Sequence, residues 1–415
     1  MTNSNGNAHP QRRQAALSSP LAEELERIFA GIPYQELLRI ILQEKTRAFS
    51  PLGRFGYRLE WLLKAVVASH YLGVKSTAAI VRRLQEDEDL TLVCGFHPED
   101  IPHRTTFSRF IGKLRRHQRL LDECLNQTTT ELKLFLPGFG EMVAVDSTPV
   151  RSHSNPNREP KSDPQAGWIA KEGDSEHKKY IFGYKLHAIV DVKYELPVYK
   201  KQTMAEVQDV EMMLPFLNEA REALPWFEPK AVIGDRGYDS HDNFEGIVKD
   251  FHADPIIPLI AKGGGSVPEV TGTPAVPKCA AGLPLIYRGW DKSRGLKYQC
   301  PEVAGKASCP MLLKCDLADP RRILWVRPVH DYRRFGYRIK RGTDEWKELY
   351  RKRVAVERCF SGLKDFRRLE DHCFRYFDRI NTHTTLSVLT MQAMALAEAK
   401  AGRTERVRVR ARQVG

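Results

Sequence analysis

Residues 142–146 read MVAVD and residues 231–240 read AVIGDRGYDS, two short apolar runs that end on carboxylates at Asp146 and Asp235. Runs of this length and composition predict buried strands. Between them, IFGYKLHAIVDV (181–192) and LPVYKKQTM (196–204) are β-branched and aromatic, separated by a short turn around Lys193 to Glu195. DVEMMLPFLNEAREAL (209–224) predicts a helix, and ADPIIPL (253–259) a fifth strand. The order β-β-β-α-β predicts a mixed α/β sheet whose strands are apolar enough to be covered on both faces.

Upstream of Gly138 the pattern is helical. YQELLRIILQ, LEWLLKAVVASHYL and STAAIVRRLQ carry apolar residues at three- and four-residue spacing. The apolar stretch Trp61–Val74 contains Lys64 and His70. It is shorter than the roughly 18–20 residues of a membrane span, so it predicts a buried core helix. After the break FHPEDIPHRTT, FSRFIGKLRRHQRLLDECL (107–125) predicts one amphipathic helix with Thr105 or Thr106 as its N-cap. That helix bears Arg109, Lys113, Arg115, Arg116 and Arg119, a face suited either to solvent or to DNA.

The expected organisation is a disordered N-terminus (1–18), a helical, DNA-binding unit (19–136) and an α/β unit (137–260 with 331–398). A loop-like insertion (261–330) interrupts the α/β unit, and an Arg-rich tail (399–415) ends the chain. Across 415 residues, Lys and Arg exceed Asp and Glu by 65 to 52, giving a net charge of +13. Such a surplus favours a polyanionic partner, because cationic side chains release counterions when they neutralise phosphates. The N-terminus lacks the apolar segment of a secretory signal. Eight cysteines in so long a chain do not suggest a disulfide scaffold. The expected setting is the reduced cytoplasm, with no membrane association.

A carboxylate just past a buried strand is held by rigid backbone and faces the crevice where ligands enter α/β sheets. Two of them on different strands can share divalent cations; an Asp that merely opens a turn is the ordinary alternative. TDEWKELYRKRVAVERCFSGLKDFRRLE (343–370) predicts one long capped helix. Tyr350, Arg353, Glu357 and Lys364 follow each other at steps of three, four and seven, which return to one helical face. A salt-bridge ladder would share this spacing, but Arg351, Lys352 and Arg358 leave more positive charge than Glu357 neutralises. In the insertion, Cys279, Cys300, Cys309 and Cys315 cluster without a C-x2-C knuckle. They suit either a structural Zn²⁺ or separate places in a small β-rich subdomain.

The spacing Y-x2-R-x3-E-x6-K, as Tyr350, Arg353, Glu357 and Lys364, resembles a signature of DDE transposases from bacterial insertion sequences. VAVDST, FGYKLH and DRGYDS, in that order, resemble the same family, and RTTFSRFIGKL resembles its helical domain before the catalytic core. The resemblance spans roughly residues 30 to 395. It implies an RNase H-like catalytic domain with Asp146, Asp235 and Glu357 as ligands to two Mg²⁺ ions, Mn²⁺ serving as a substitute. It further implies strand cleavage by water, then joining by the freed 3′-hydroxyl, with Arg353 and Lys364 on DNA phosphates and Tyr350 either bonding a phosphate or packing against the core. The implied partners are double-stranded transposon ends, target DNA and further copies of the chain in a nucleoid-associated synaptic complex. Two alternatives stand beside it: an RNase H-like nuclease or resolvase that does not join strands, and a domesticated DNA-binding protein without catalysis. Some relatives hold a flipped base with an aromatic of the insertion, which makes Trp290 and Trp325 candidates, packing being the alternative. Of His153, His177 and His187, only His187 is a candidate for a place near the metal site, and a structural role is the favoured reading of it. Cys359 and Cys373 read as packing residues.

Overall fold

The computed structural model describes residues 19–47, 56–171, 179–260, 277–279, 281–291, 293–311, 315, 322–326 and 332–408. The N-terminal segment expected to be disordered (1–18), the last residues of the Arg-rich tail (409–415) and much of the insertion's loop lie outside these residues. Residues 399–408 of that tail, expected to be disordered from Arg403 on, are described and include a 3₁₀ turn over Thr404–Arg406.

Residues 20–135 form α1 (Pro20–Ala30), α2 (Gln35–Arg47), α3 (Leu59–Tyr71), α4 (Thr77–Glu86), α5 (Glu88–Cys94), α6 (Arg104–Arg116) and α7 (Gln118–Phe135). Side-chain caps set several starts: Ser19 accepts from the Ala22 N–H, Ser76 from Ala79 and Asp87 from Leu90. Gly95 ends α5 at φ 100°, and a Cβ there would lie 2.5 Å from the Trp61 ring. Helix α3 is buried from Leu62 to Tyr71, apart from Lys64, as a core helix should be. The single helix expected over 107–125 is two, α6 and α7, and the N-cap of α6 is His103 rather than Thr105 or Thr106. The His117 N–H bonds the Lys113 and Leu114 carbonyls, a tightened turn that redirects the chain. Phe107, Phe110 and Leu114 of α6 then face the helical core, and Leu121, Cys124, Leu125 and Leu132 of α7 are buried in turn.

The sheet follows: β1 (Met142–Arg151), β2 (Gly167–Lys171), β3 (Lys179–Asp191), β4 (Pro197–Thr203), α8 (Asp209–Ala223), β5 (Ala231–Ile233), α9 (His241–Phe251) and β6 (Asp254–Ile256). The order across the sheet is β4-β3-β1-β5-β6, with β2 on the same edge of β3 as β4. Strand β3 is antiparallel to β1 and β4, whereas β5 runs parallel to β1 and to β6. This is the RNase H-like order, and it adds β2 and α9 to the expected elements. Gly183, in FGYKLH, sits where β2, β3 and β1 align; a Cβ there would lie 2.1 Å from the Val150 carbonyl oxygen.

Alternation along the strands divides the core between the two faces. Val143, Val145, Ile189 and Val198 pack with α8 and α9. Ala144, Val150, Tyr184, Leu186 and Ala188 join the core of the N-terminal helices. In the insertion, β7 (Ile286–Asp291), β8 (Gly295–Gln299) and β9 (Ile323–Val326) form an antiparallel sheet over a small core of Leu285, Tyr298 and Leu324. The chain returns through α10 (Tyr332–Phe335), α11 (Asp344–Arg351), α12 (Val354–Phe366) and α13 (Phe377–Lys400).

The long helix expected over 343–370 is thus interrupted. The N–H groups of Lys352, Arg353, Ala355 and Val356 bond carbonyls three residues back, a 3₁₀-like tightening between α11 and α12. Among the described residues no helix is long and apolar enough to cross a membrane.

Three histidines meet where α3 packs on α13. His70 Nε2 lies 3.2 Å from His383 Nδ1, and the His372 ring centroid is 4.7 Å from that of His383. Burial, reinforced by neighbouring Arg368, pushes His70 down to about 3 and His372 to about 4; burial also takes His383 well below its ordinary value. Groups held neutral in the fold but free to charge when unfolded leave stability intact above about pH 6.5 and erode it as the pH falls toward 4. We expect His372→Phe to flatten this decline by about 1.4 kcal/mol per pH unit across that window, read from urea unfolding at pH 7 and 5. An unchanged pH slope would contradict the assignment.

Candidate active site

Strands β1 and β5 pair in parallel with Ala144 opposite Ile233. Asp146 lies two residues past Ala144, and Asp235 two past Ile233. The register therefore brings Asp235, just past the end of β5, toward Asp146, which lies mid-strand because β1 continues to Arg151 rather than ending on the carboxylate. Neither is free to drift. Asp146 Oδ1 accepts the Ser147 N–H at 2.8 Å, and its Oδ2 accepts Arg353 Nη1 at 3.2 Å. Asp235 Oδ1 accepts the Gly237 N–H at 2.8 Å, capping a single 3₁₀ turn over Arg236–Tyr238.

The site is electrostatically tense. Desolvation lifts the Asp146 carboxyl to about 7; the Ser147 N–H and Arg353 oppose the shift, and the charges of Asp235 and Asp209 add to it. Burial also pushes the Tyr238 hydroxyl well above its ordinary value, with Asp146, Asp209 and Asp235 contributing. That hydroxyl has no hydrogen-bond partner among the described residues.

Glu357, on the first turn of α12, is 51% exposed and accepts Arg353 Nη2. One guanidinium thus bridges Asp146 and Glu357. Burial opposes its charge, but the two carboxylates prevail and raise its pKa. Among the described residues, no three His, Cys, Asp or Glu side chains gather closely enough to hold a metal ion. The Arg353 bridge supplies positive charge between Asp146 and Glu357.

The other expected residues are dispersed. Tyr350 stacks on Trp346 at 5.4 Å, and Lys364 is engaged by Glu370 at 2.6 Å. Arg109 and Arg116 are exposed on α6, with Lys113 half-exposed beside them and Arg115 paired to Asp378 at 3.3 Å. Cys279, Cys300, Cys309 and Cys315 are free thiols and form no metal-ligand group; Cys300 is buried, and Cys279 packs on the small core of the insertion. Arg294 and Lys297 lie over the Trp325 ring at 5.5 and 5.6 Å. The side chain of Trp290 and all of His177 lie outside the described residues. His153 is exposed, and His187 is buried with Nε2 2.9 Å from Thr203 Oγ1. Cys359 is buried as expected; Cys373 is exposed, not packed.

Sequence reasoning missed Asp209. It opens α8 and receives Ser147 Oγ at 3.0 Å and Lys185 Nζ at 3.1 Å. It also missed that Asp239 of DRGYDS is structural, holding Arg333 by two bonds of 2.6 and 2.7 Å and accepting the Ile260 N–H.

A search of curated proteins returns no match. Among solved structures, the cryo-EM structure of a piggyBac transposase synaptic complex with hairpin DNA is similar at a TM-score of 0.41 and 8% identity. That similarity covers 97% of this chain and 79% of the other. A family model described as "Transposase DDE domain" matches residues 137–282, which hold Asp146 and Asp235 but not Glu357. A second, "Transposase domain (DUF772)", matches residues 15–113 of the helical region. Transposase models thus match the chain in order, one over the helical region and a DDE transposase domain over the sheet.

Proposed function

We propose that the protein binds the terminal repeats of its own element, cuts a DNA strand there and joins the freed end to target DNA. Asp146, Asp235 and Glu357 are the residues that would hold two Mg²⁺ ions. The observation that carries this reading is the parallel β1–β5 register, Ala144 opposite Ile233, which brings Asp146, in the middle of β1, and Asp235, two residues past β5, close enough to repel each other. The donor set fits: all three offer hard carboxylate oxygens, the ligands Mg²⁺ prefers. The raised Asp146 carboxyl marks a place where a cation relieves desolvation and repulsion from Asp235. When bound, the paired ions would supply activation of the attacking oxygen and stabilisation of the leaving one.

The chain's own residues do the rest. Asp146 stands on β1 and Asp235 caps the 3₁₀ turn just past β5, so backbone holds both before DNA arrives. Arg353 neutralises Asp146 and Glu357 in the DNA-free protein, and its planar fork suits a phosphate when the backbone enters. Lys364 and Tyr350 complete the phosphate contacts by leaving Glu370 and Trp346. The helical unit (19–136) holds the ends through Arg109, Lys113 and Arg116, the α/β unit (137–260 with 331–398) does the chemistry, and two or more copies form the synapse.

Replacing Asp146, Asp235 or Glu357 by Ala is expected to reduce cleavage of a duplex carrying the native ends to background, while gel-shift binding persists. Retained cleavage in any of the three refutes its assignment as a ligand. With pre-nicked ends, the wild-type protein joins them to plasmid target in Mg²⁺ and not after chelation. Hydrolysis without joining assigns the chain to the nuclease reading instead. For the ends, Arg109→Ala and Arg116→Ala each lower the slope of log affinity against log salt by about 0.9. An unchanged slope places DNA on another surface.

A further inference from the structure

The FGYKLH segment builds β3, yet the ligand reading gives its Lys185 and His187 nothing to do. Both lie on the face of β3 opposite the one that carries Ala188, the register partner of Asp146. Helix α8 begins on their side. Lys185 donates from Nζ to Asp209 Oδ1 at 3.1 Å and to the Val207 carbonyl at 2.7 Å. Ser147, the register partner of His187, donates from Oγ to Asp209 Oδ2 at 3.0 Å. His187 Nδ1 is 4.0 Å from Asp209 Oδ1. The backbone N–H of the same Ser147 donates to Asp146 Oδ1.

We propose that Asp209 is a positioning residue for Asp146. Clamped by Lys185, it holds the Ser147 hydroxyl on one face of β1; the Ser147 N–H then fixes Oδ1 of Asp146, leaving Oδ2 to meet a cation. In the DNA-free protein that cation is the Arg353 guanidinium. An acid in the first turn of a helix is favoured by the helix dipole alone. The dipole does not account for each Asp209 oxygen meeting a different donor, one of them on the residue next to Asp146. Partners that orient metal ligands in this way are worth about 10- to 100-fold in metal affinity.

This inference rests on Asp146 being a metal ligand, so the test separates the two. Mn²⁺ binding to the full-length protein is titrated by electron paramagnetic resonance, and melting without Mn²⁺ reports the fold. Asp146→Ala is expected to lose the strong binding. Ser147→Ala and Asp209→Ala each weaken it about 10-fold or more, and the double variant is no weaker than Asp209→Ala alone, because both break one chain of contacts. Ser147→Thr, which keeps the hydroxyl, restores binding. If Asp209→Ala melts early, the Ser147 pair alone decides. Wild-type affinity in Ser147→Ala and Asp209→Ala, or additive losses in the double variant, with Asp146→Ala still defective, overturns the positioning role alone. Wild-type affinity in Asp146→Ala overturns the ligand reading, and this inference with it.

Discussion

Helix α13 has little side open to solvent, and the polar groups this buries must find partners inside the protein. Thr382, Thr385, Ser387 and Thr390 return their hydroxyls to carbonyls one turn back, those of Asp378, Asn381, His383 and Leu386. Gln392 uses both ends of its amide: Nε2 donates to the Pro197 carbonyl at 2.7 Å, and Oε1 accepts Thr129 Oγ1 at 2.8 Å. One side chain thereby ties α7, α13 and β4 together. The N-terminal helices and β4 thus pack on the same helix.

The carboxylate pair carries an electrostatic cost. Asp146 and Asp235 are brought side by side by backbone register, and partial burial of Asp146 removes the water that would screen them. In the DNA-free protein Arg353 offsets this by bridging Asp146 and Glu357. The tightened turn between α11 and α12 carries that guanidinium, so the break in the helix belongs to the site. A second anchor fixes α12 to the sheet: Arg358 reaches Glu195, a buried residue at φ 56° in the β3–β4 turn, at 2.8 Å.

Much of this was legible in the sequence, and the reasons are physical. The two strands that carry or precede Asp146 and Asp235 are visible because apolar runs and carboxylates are local signals, but the run through Asp146 does not end there: β1 continues to Arg151. The order of elements along the chain needed only those runs and the α8 segment; the order across the sheet did not follow from them and was implied only by the family resemblance. Helix α13 was invisible: Thr, Ser, Gln and apolar residues are buried all round it, so it has no amphipathic stripe to detect. Helix α9 did leave a signal, the Ser240 cap followed by Phe244, Ile247, Val248 and Phe251, masked by the motif before it. The steps from Tyr350 to Lys364 fit an unbroken helix as well as an interrupted one, so spacing alone overstated how closely the four residues converge. Asp209 looked like an ordinary first-turn acid. Its contacts with Ser147 and Lys185 cross 62 and 24 residues of sequence, which local periodicity does not see.

The central claim, that Asp146 and Asp235 form a shared cation site from which Arg353 can be displaced, is most directly tested by locating the cation. A structure of the protein with Mn²⁺ and a duplex carrying the native end would show it by anomalous scattering. The account predicts Mn²⁺ within about 2 Å of oxygens from both Asp146 and Asp235, with Arg353 turned from Asp146 to a DNA phosphate. Mn²⁺ bound away from both carboxylates, or Arg353 still bridging Asp146 and Glu357 with DNA in place, would contradict it.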